Sequence, residues 1–110
     1  MREVSTVKTQ DDPKAEEKLE SLANIGREVA ARLREVGIST PEVLRRLGSA
    51  EAAARMAQAR PEDPPCRSML SGLEGAIRGV RWHAIPKDER EALWEAYQRA
   101  LGGLRCARET

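Results

Sequence analysis

His83 is the one imidazole in the chain, so any histidine-based acid–base step or His-ligated metal would have to run through it. It follows Trp82 in a stretch read as a helix–helix loop, and no Ser, Cys or Asp can be paired with it by spacing. Cys66 and Cys106 are forty residues apart, with no Cys-x-x-Cys pair and no matching His spacing, which argues against a disulfide scaffold or a zinc site. Cys66 sits among prolines and Cys106 in the tail, and neither has a neighbouring pattern that suggests an activated thiolate. With scattered carboxylates and a single His, no metal, no cofactor and no catalytic residue is expected.

What remains is backbone chemistry. In "LANIGREVAARLREVGIST" the tripeptide Asn24-Ile25-Gly26 stands where one helical pattern stops and another starts. Asn and Gly are the residues that tolerate positive φ. A helix opening at Gly26 leaves its first amide N–H groups without intrahelical partners, at the positive end of the helix dipole. That end can hold an anion such as a DNA phosphate. Arg27 stands beside it, and Arg34 lies on the same outer face two turns on. Leu22-Ala23-Asn24-Ile25-Gly26 with Ala30 and Leu33 resembles a helix-hairpin-helix motif, and that likeness makes Asn24, Ile25, Gly26, Arg27 and Arg34 the candidate nucleic-acid contact, positioning a duplex without reading its sequence. One hairpin meets few phosphates, so affinity should sit near the non-specific range of about 10⁻⁴ to 10⁻⁶ M.

The elements that must carry this hairpin are read as helices. There is no Phe, one Tyr and two Trp, so the core has to come from Leu, Ile, Val and Ala. Residues 1–12 read as a flexible leader, with a short strand around Val4–Val7 as the alternative, and residues 13–104 as one helical domain with a tail at 105–110. A first helix is expected from Pro13 to about Leu22, and a second from Arg27 to Val36 with Val29, Leu33 and Val36 facing inward. Gly37 stops it, Thr40 and Pro41 start the next, and Gly48 ends that one. "SAEAAARMAQA" reads as another short helix and "RPEDPPC" as a loop.

"RSMLSGLEGAIRGVRW" places Leu70, Leu73 and Ile77 on one stripe and Gly72, Gly75 and Gly79 on another. Three interior glycines cost about 3 kcal/mol relative to alanine, so close approach by a neighbouring helix is expected to offset them, with this helix in the middle of the bundle. Glu74 and Arg78 form an i,i+4 pair on its polar strip. The last helix is expected from about Pro86 to Leu101, ended by Gly102-Gly103, with Trp82 and Trp94 as core anchors.

Net charge is +1. Residues 1–23 carry net −2 and residues 24–81 net +3, every basic group in the latter being Arg. The N-terminus has no signal-peptide pattern and no apolar run approaches membrane-spanning length, so a cytoplasmic protein is expected.

"LANIGREVAARLREVGISTPEVLRRLGSAEAAARM" followed by "LSGLEGAIRGVRWHAIPKDEREAL" resembles the C-terminal domain of the TfoX/Sxy family of bacterial competence regulators. The family's L-x-N-I-G opening, G-I-x-T step, L-x-x-L-G close and L-E-G-A-I-R-G-x-R-W run correspond to Leu22–Gly26, Gly37–Thr40, Leu44–Gly48 and Leu73–Trp82. The likeness covers roughly residues 20–95, with Ile85-Pro86 where the family has Leu-Pro. Asn24 stands where a helix-hairpin-helix has its first Gly.

The resemblance implies an all-α domain of five or six short helices with a helix-hairpin-helix-like element, and no catalytic residues. Full-length members also carry an N-terminal α/β domain, in whose place this chain is expected to have only its charged leader. It implies a role in switching on DNA-uptake genes alongside a cyclic-AMP-responsive transcription factor. The expected partner is double-stranded DNA, weakly and without sequence preference, or a transcription-factor protein that the domain docks. No membrane and no small-molecule substrate is expected.

Overall fold

The computed structural model describes residues 18–109, with side chains through residue 104. The leader, the strand alternative at Val4–Val7 and the start of the helix expected from Pro13 lie outside the described residues. Within them every regular element is helical: α1 (Arg27–Glu35), α2 (Pro41–Leu47), α3 (Ser49–Ala59), α4 (Arg67–Arg78) and α5 (Lys87–Glu109). Single 3-10 turns stand before α1 (Leu19–Ser21) and between α4 and α5 (Trp82–Ala84).

Local chemistry sets most of the boundaries. The Thr40 side chain accepts a hydrogen bond from the Val43 N–H at 3.2 Å, and Pro41 occupies the first helical position of α2. Gly48, at φ 88°, both ends α2 and opens α3, a joint that a side chain would strain. α1 buries Ala30 and Leu33 and half-buries Val29 and Val36, while Arg27, Ala31 and Arg34 face solvent.

Three expectations are corrected. The helix expected to reach Leu22 gives way to a 3-10 turn. Lys18 is extended, and the Ser21 hydroxyl and N–H both donate to the Lys18 carbonyl, at 2.6 and 3.0 Å, taking an acceptor that a helix would use further along. The last helix runs straight through Gly102-Gly103 to Glu109. Leu101 and Leu104 on either side of the glycines pack on the core, and Gln58 Nε2 reaches the Leu104 carbonyl at 3.4 Å, so tertiary contact overrides the weak local propensity. The centre of the bundle is α3 rather than α4, because α3 packs against each of the other four helices. Its Ala52, Ala53 and Ala54 are fully buried, and their small side chains let neighbours close in from several sides.

Candidate functional site

The five residues expected to contact DNA are not equally available. Ile25 is 5% exposed and anchors the turn in the core. Gly26 caps α1 with extended backbone, is exposed, and has open space where a Cβ would point. The first intrahelical bond runs from the Ala30 N–H to the Gly26 carbonyl, so the amides ahead of Ala30 lie outside the helix ladder. Arg27 is exposed beside them, with exposed Glu28 in the same turn.

Arg34 is exposed but engaged. Its two terminal nitrogens donate to the two Glu20 carboxylate oxygens at 2.8 and 2.9 Å. These bonds, helped by a backbone bond at Glu20, hold the Glu20 carboxyl down at about 2, and the same pairing raises the Arg34 guanidinium.

Asn24 takes the left-handed conformation expected of it, φ 69°. Its amide, however, is used inside the protein. Nδ2 donates to the Val80 carbonyl at 2.9 Å and more loosely to that of Gly72 at 3.4 Å, while Oδ1 accepts from the Trp82 N–H at 3.3 Å. The small-residue face of α4 is built around this contact. A Cβ on Gly75 would lie 2.5 Å from Asn24 Nδ2 and 2.6 Å from the Val80 carbonyl oxygen, and one on Gly72 would lie 3.4 Å from Asn24 Cβ. The close neighbour is thus the Asn24 turn with the returning Val80–Trp82 strand of chain, where a helix was expected. Gly79 is not interior at all: it is the left-handed cap of α4, φ 78°. The Leu22–Gly26 and Leu73–Trp82 stretches therefore interlock through one side chain.

The polar strip of α4 carries the pair expected of it and more. Arg78 bonds Glu74 and Glu89, each at 2.8 Å, which raises its guanidinium, and Glu74 also accepts from the Ser49 hydroxyl at 2.7 Å. Arg32 carried no sequence signal, yet it is 5% exposed. Its Nη2 donates to the Asp63 carbonyl at 2.6 Å and fastens the proline-rich loop to α1, while its buried Nε has no partner among the described residues.

Sequence reasoning missed a groove beside α4 and α5. Trp94 is half-buried and packs against the core as expected, whereas half-buried Trp82 is not part of the core cluster. They form two walls of a concavity of about 210 Å³ that also takes in Ser71, Lys87 and Glu91. The Arg67 guanidinium lies 4.7 Å from the centre of the Trp94 ring and the Arg90 guanidinium 5.5 Å from that of Trp82. Arg67 also bonds Glu91 at 3.0 Å and Arg90 the Ile85 carbonyl at 3.1 Å. Two further concavities adjoin it, one of about 410 Å³ past Trp94 and one of about 380 Å³ past Trp82. The available clue was that aromatic side chains are so scarce here that two Trp flanking one helix start stand out.

His83 is exposed and stands edge-on to Trp82 at 5.7 Å. Cys66 is exposed and free. Among the described residues no cluster of His, Cys, Asp and Glu could hold a metal ion, and no helix is long and apolar enough to cross a membrane.

Five helices among the described residues, with a glycine-faced helix clamped by an asparagine turn, define a class of small all-α modules. More specifically, the TfoX C-terminal domain model matches residues 15–97, and the chain belongs to that family. Two solved structures are similar. An uncharacterized protein from Listeria monocytogenes in a triclinic crystal form is 35% identical, with a TM-score of 0.67 over 74% of this chain and 91% of that one. A protein of unknown function from the same organism, in a tetragonal form, is 34% identical, with a TM-score of 0.66 over 74% and 98%. No curated protein matches the chain significantly.

Proposed function

We propose that the chain is a non-enzymatic regulatory module of the competence-regulator type that works by docking a partner protein. Family membership supports the regulatory half of this reading. The state of the arginines supports the docking half. Arg32, Arg34, Arg55, Arg60, Arg67 and Arg78 each hold a carboxylate of the same chain within 4.0 Å, so the basic surplus of the middle segment is largely spent internally. A phosphate backbone would have to displace those carboxylates one by one.

Weak DNA contact is the second reading, favoured by the open Gly26 cap with Arg27 beside it. A salt titration of duplex binding separates the two. Partner docking predicts no duplex binding at low salt and saturable binding of a purified transcription factor, the cyclic-AMP-responsive protein being the first to try. DNA contact predicts affinity that falls with log salt at a slope of about −0.9 per phosphate engaged, and its loss in Arg27→Glu. Duplex binding with that slope, and no factor bound, would sink the docking reading.

A further inference from the structure

We infer that the groove along α4 and α5 receives an acidic segment of a protein partner that also carries a large apolar side chain. This rests on the docking reading above and assigns its surface and its chemistry.

The three concavities share walls: Ser68 and Trp82 line the first and third, and Trp94 lines the first and second. They lie side by side and together make up a trough. Its apolar surface comes from Met69, Leu70, Trp82, Trp94, Tyr97 and Leu101. Apolar surface of that kind removes apolar side chains of a peptide from water, which a duplex, presenting phosphates and sugars, does not offer.

Charge selects the kind of peptide. Arg67, Lys87 and Arg90 line the central concavity and Arg81 the third, against a single carboxylate, Glu91, already held by Arg67. On a chain of net charge +1 the trough is a positive concentration, complementary to Asp and Glu. The Arg90 guanidinium rests over the Trp82 indole with its Nε on the Ile85 carbonyl and is paired with no carboxylate among the described residues, so it is placed to offer its terminal N–H groups to an incoming carboxylate.

The chain's two tryptophans both line the trough, so their emission reports its occupancy. The test titrates the full chain with a synthetic peptide alternating Glu with Leu and Phe, with the same peptide bearing Lys for each Glu, and with oligo(dT). The inference expects a saturable emission change with the acidic peptide alone. It expects Lys87→Glu to weaken that binding about tenfold and to leave the melting temperature unchanged, with Arg81→Glu as the second variant. An equal response to the Lys peptide or to oligo(dT), or full affinity in both variants, overturns it. If the chain binds its transcription factor but ignores the acidic peptide, the groove assignment fails and the docking reading stands. Duplex binding with no factor bound removes the docking reading, and the groove assignment with it.

Discussion

Asn24 carries more structure than any other single polar residue described. A left-handed asparagine costs little compared with most residues, and this one closes three contacts to backbone groups about fifty residues away. Asn24→Asp keeps size and backbone tolerance but turns an acceptor toward the carbonyls of Gly72 and Val80. It should lower stability by about 2–3 kcal/mol. Asn24→Gly loses the same bonds but relaxes the backbone, and should cost about 1–2 kcal/mol. Urea denaturation of both variants checks the order; an Asp variant as stable as the Gly variant would mean the amide does not hold the turn. The Glu20–Arg34 pair gives a pH signature. Its carboxyl is depressed in the folded state, from 4.5 to about 2, so its contribution is full above 4.5 and is lost as pH falls toward 2. Both groups are solvent-exposed, so the effect is small. Melting curves of wild type and Glu20→Gln should differ slightly at neutral pH and converge near pH 2.

At the scale of elements, the glycines of α4 and α5 look alike in sequence and behave differently. Gly72→Ala meets Asn24 Cβ at 3.4 Å and the Asn24 carbonyl oxygen at 3.9 Å, both ordinary contacts, and should be neutral or gain up to about 1 kcal/mol from helix propensity. Gly75→Ala drives a methyl into a backbone carbonyl and a pinned amide, and should lose about 1–3 kcal/mol despite the same propensity gain. Gly102→Ala and Gly103→Ala meet nothing within 4 Å, and each should gain about 0.5–1 kcal/mol. Thermal denaturation of the four variants tests the ranking. It also marks what a sequence can carry. Thr40, Pro41, Gly37 and Gly48 signal locally, and the boundaries they set for α1 to α3 are where their types place them. The end of α5 depends on Leu101 and Leu104 reaching the core, and the glycine face depends on Asn24 arriving from the other end of the chain. Neither depends on neighbours in sequence. Of the candidate contact residues, the exposure of Gly26 and Arg27 follows from their place at a helix start. The inward turn of Asn24 and the capture of Arg34 by Glu20 follow from tertiary packing, and the trough of half-buried tryptophans follows from how α4 and α5 lie together.

For the whole molecule, the decisive feature is that α3 is the common neighbour. It packs against each of the other described helices and so is their shared core partner. A small domain with one such shared partner is expected to unfold as one unit, apart from fraying ends. Far-UV circular dichroism and tryptophan emission should therefore report the same urea midpoint, since Trp82 and Trp94 sit on α4's flank and on α5 while the dichroism averages over every helix of the chain. Ala53→Leu tests the cause. Ala53 is fully buried, and adding bulk there should cost about 1–3 kcal/mol through overpacking, although leucine is nearly as good a helix former as alanine. If α3 is the hub, the two probes keep coinciding in the variant, at a lower midpoint. If they separate, with emission lost before dichroism, then α4 and α5 form a unit of their own and α3 only borders it.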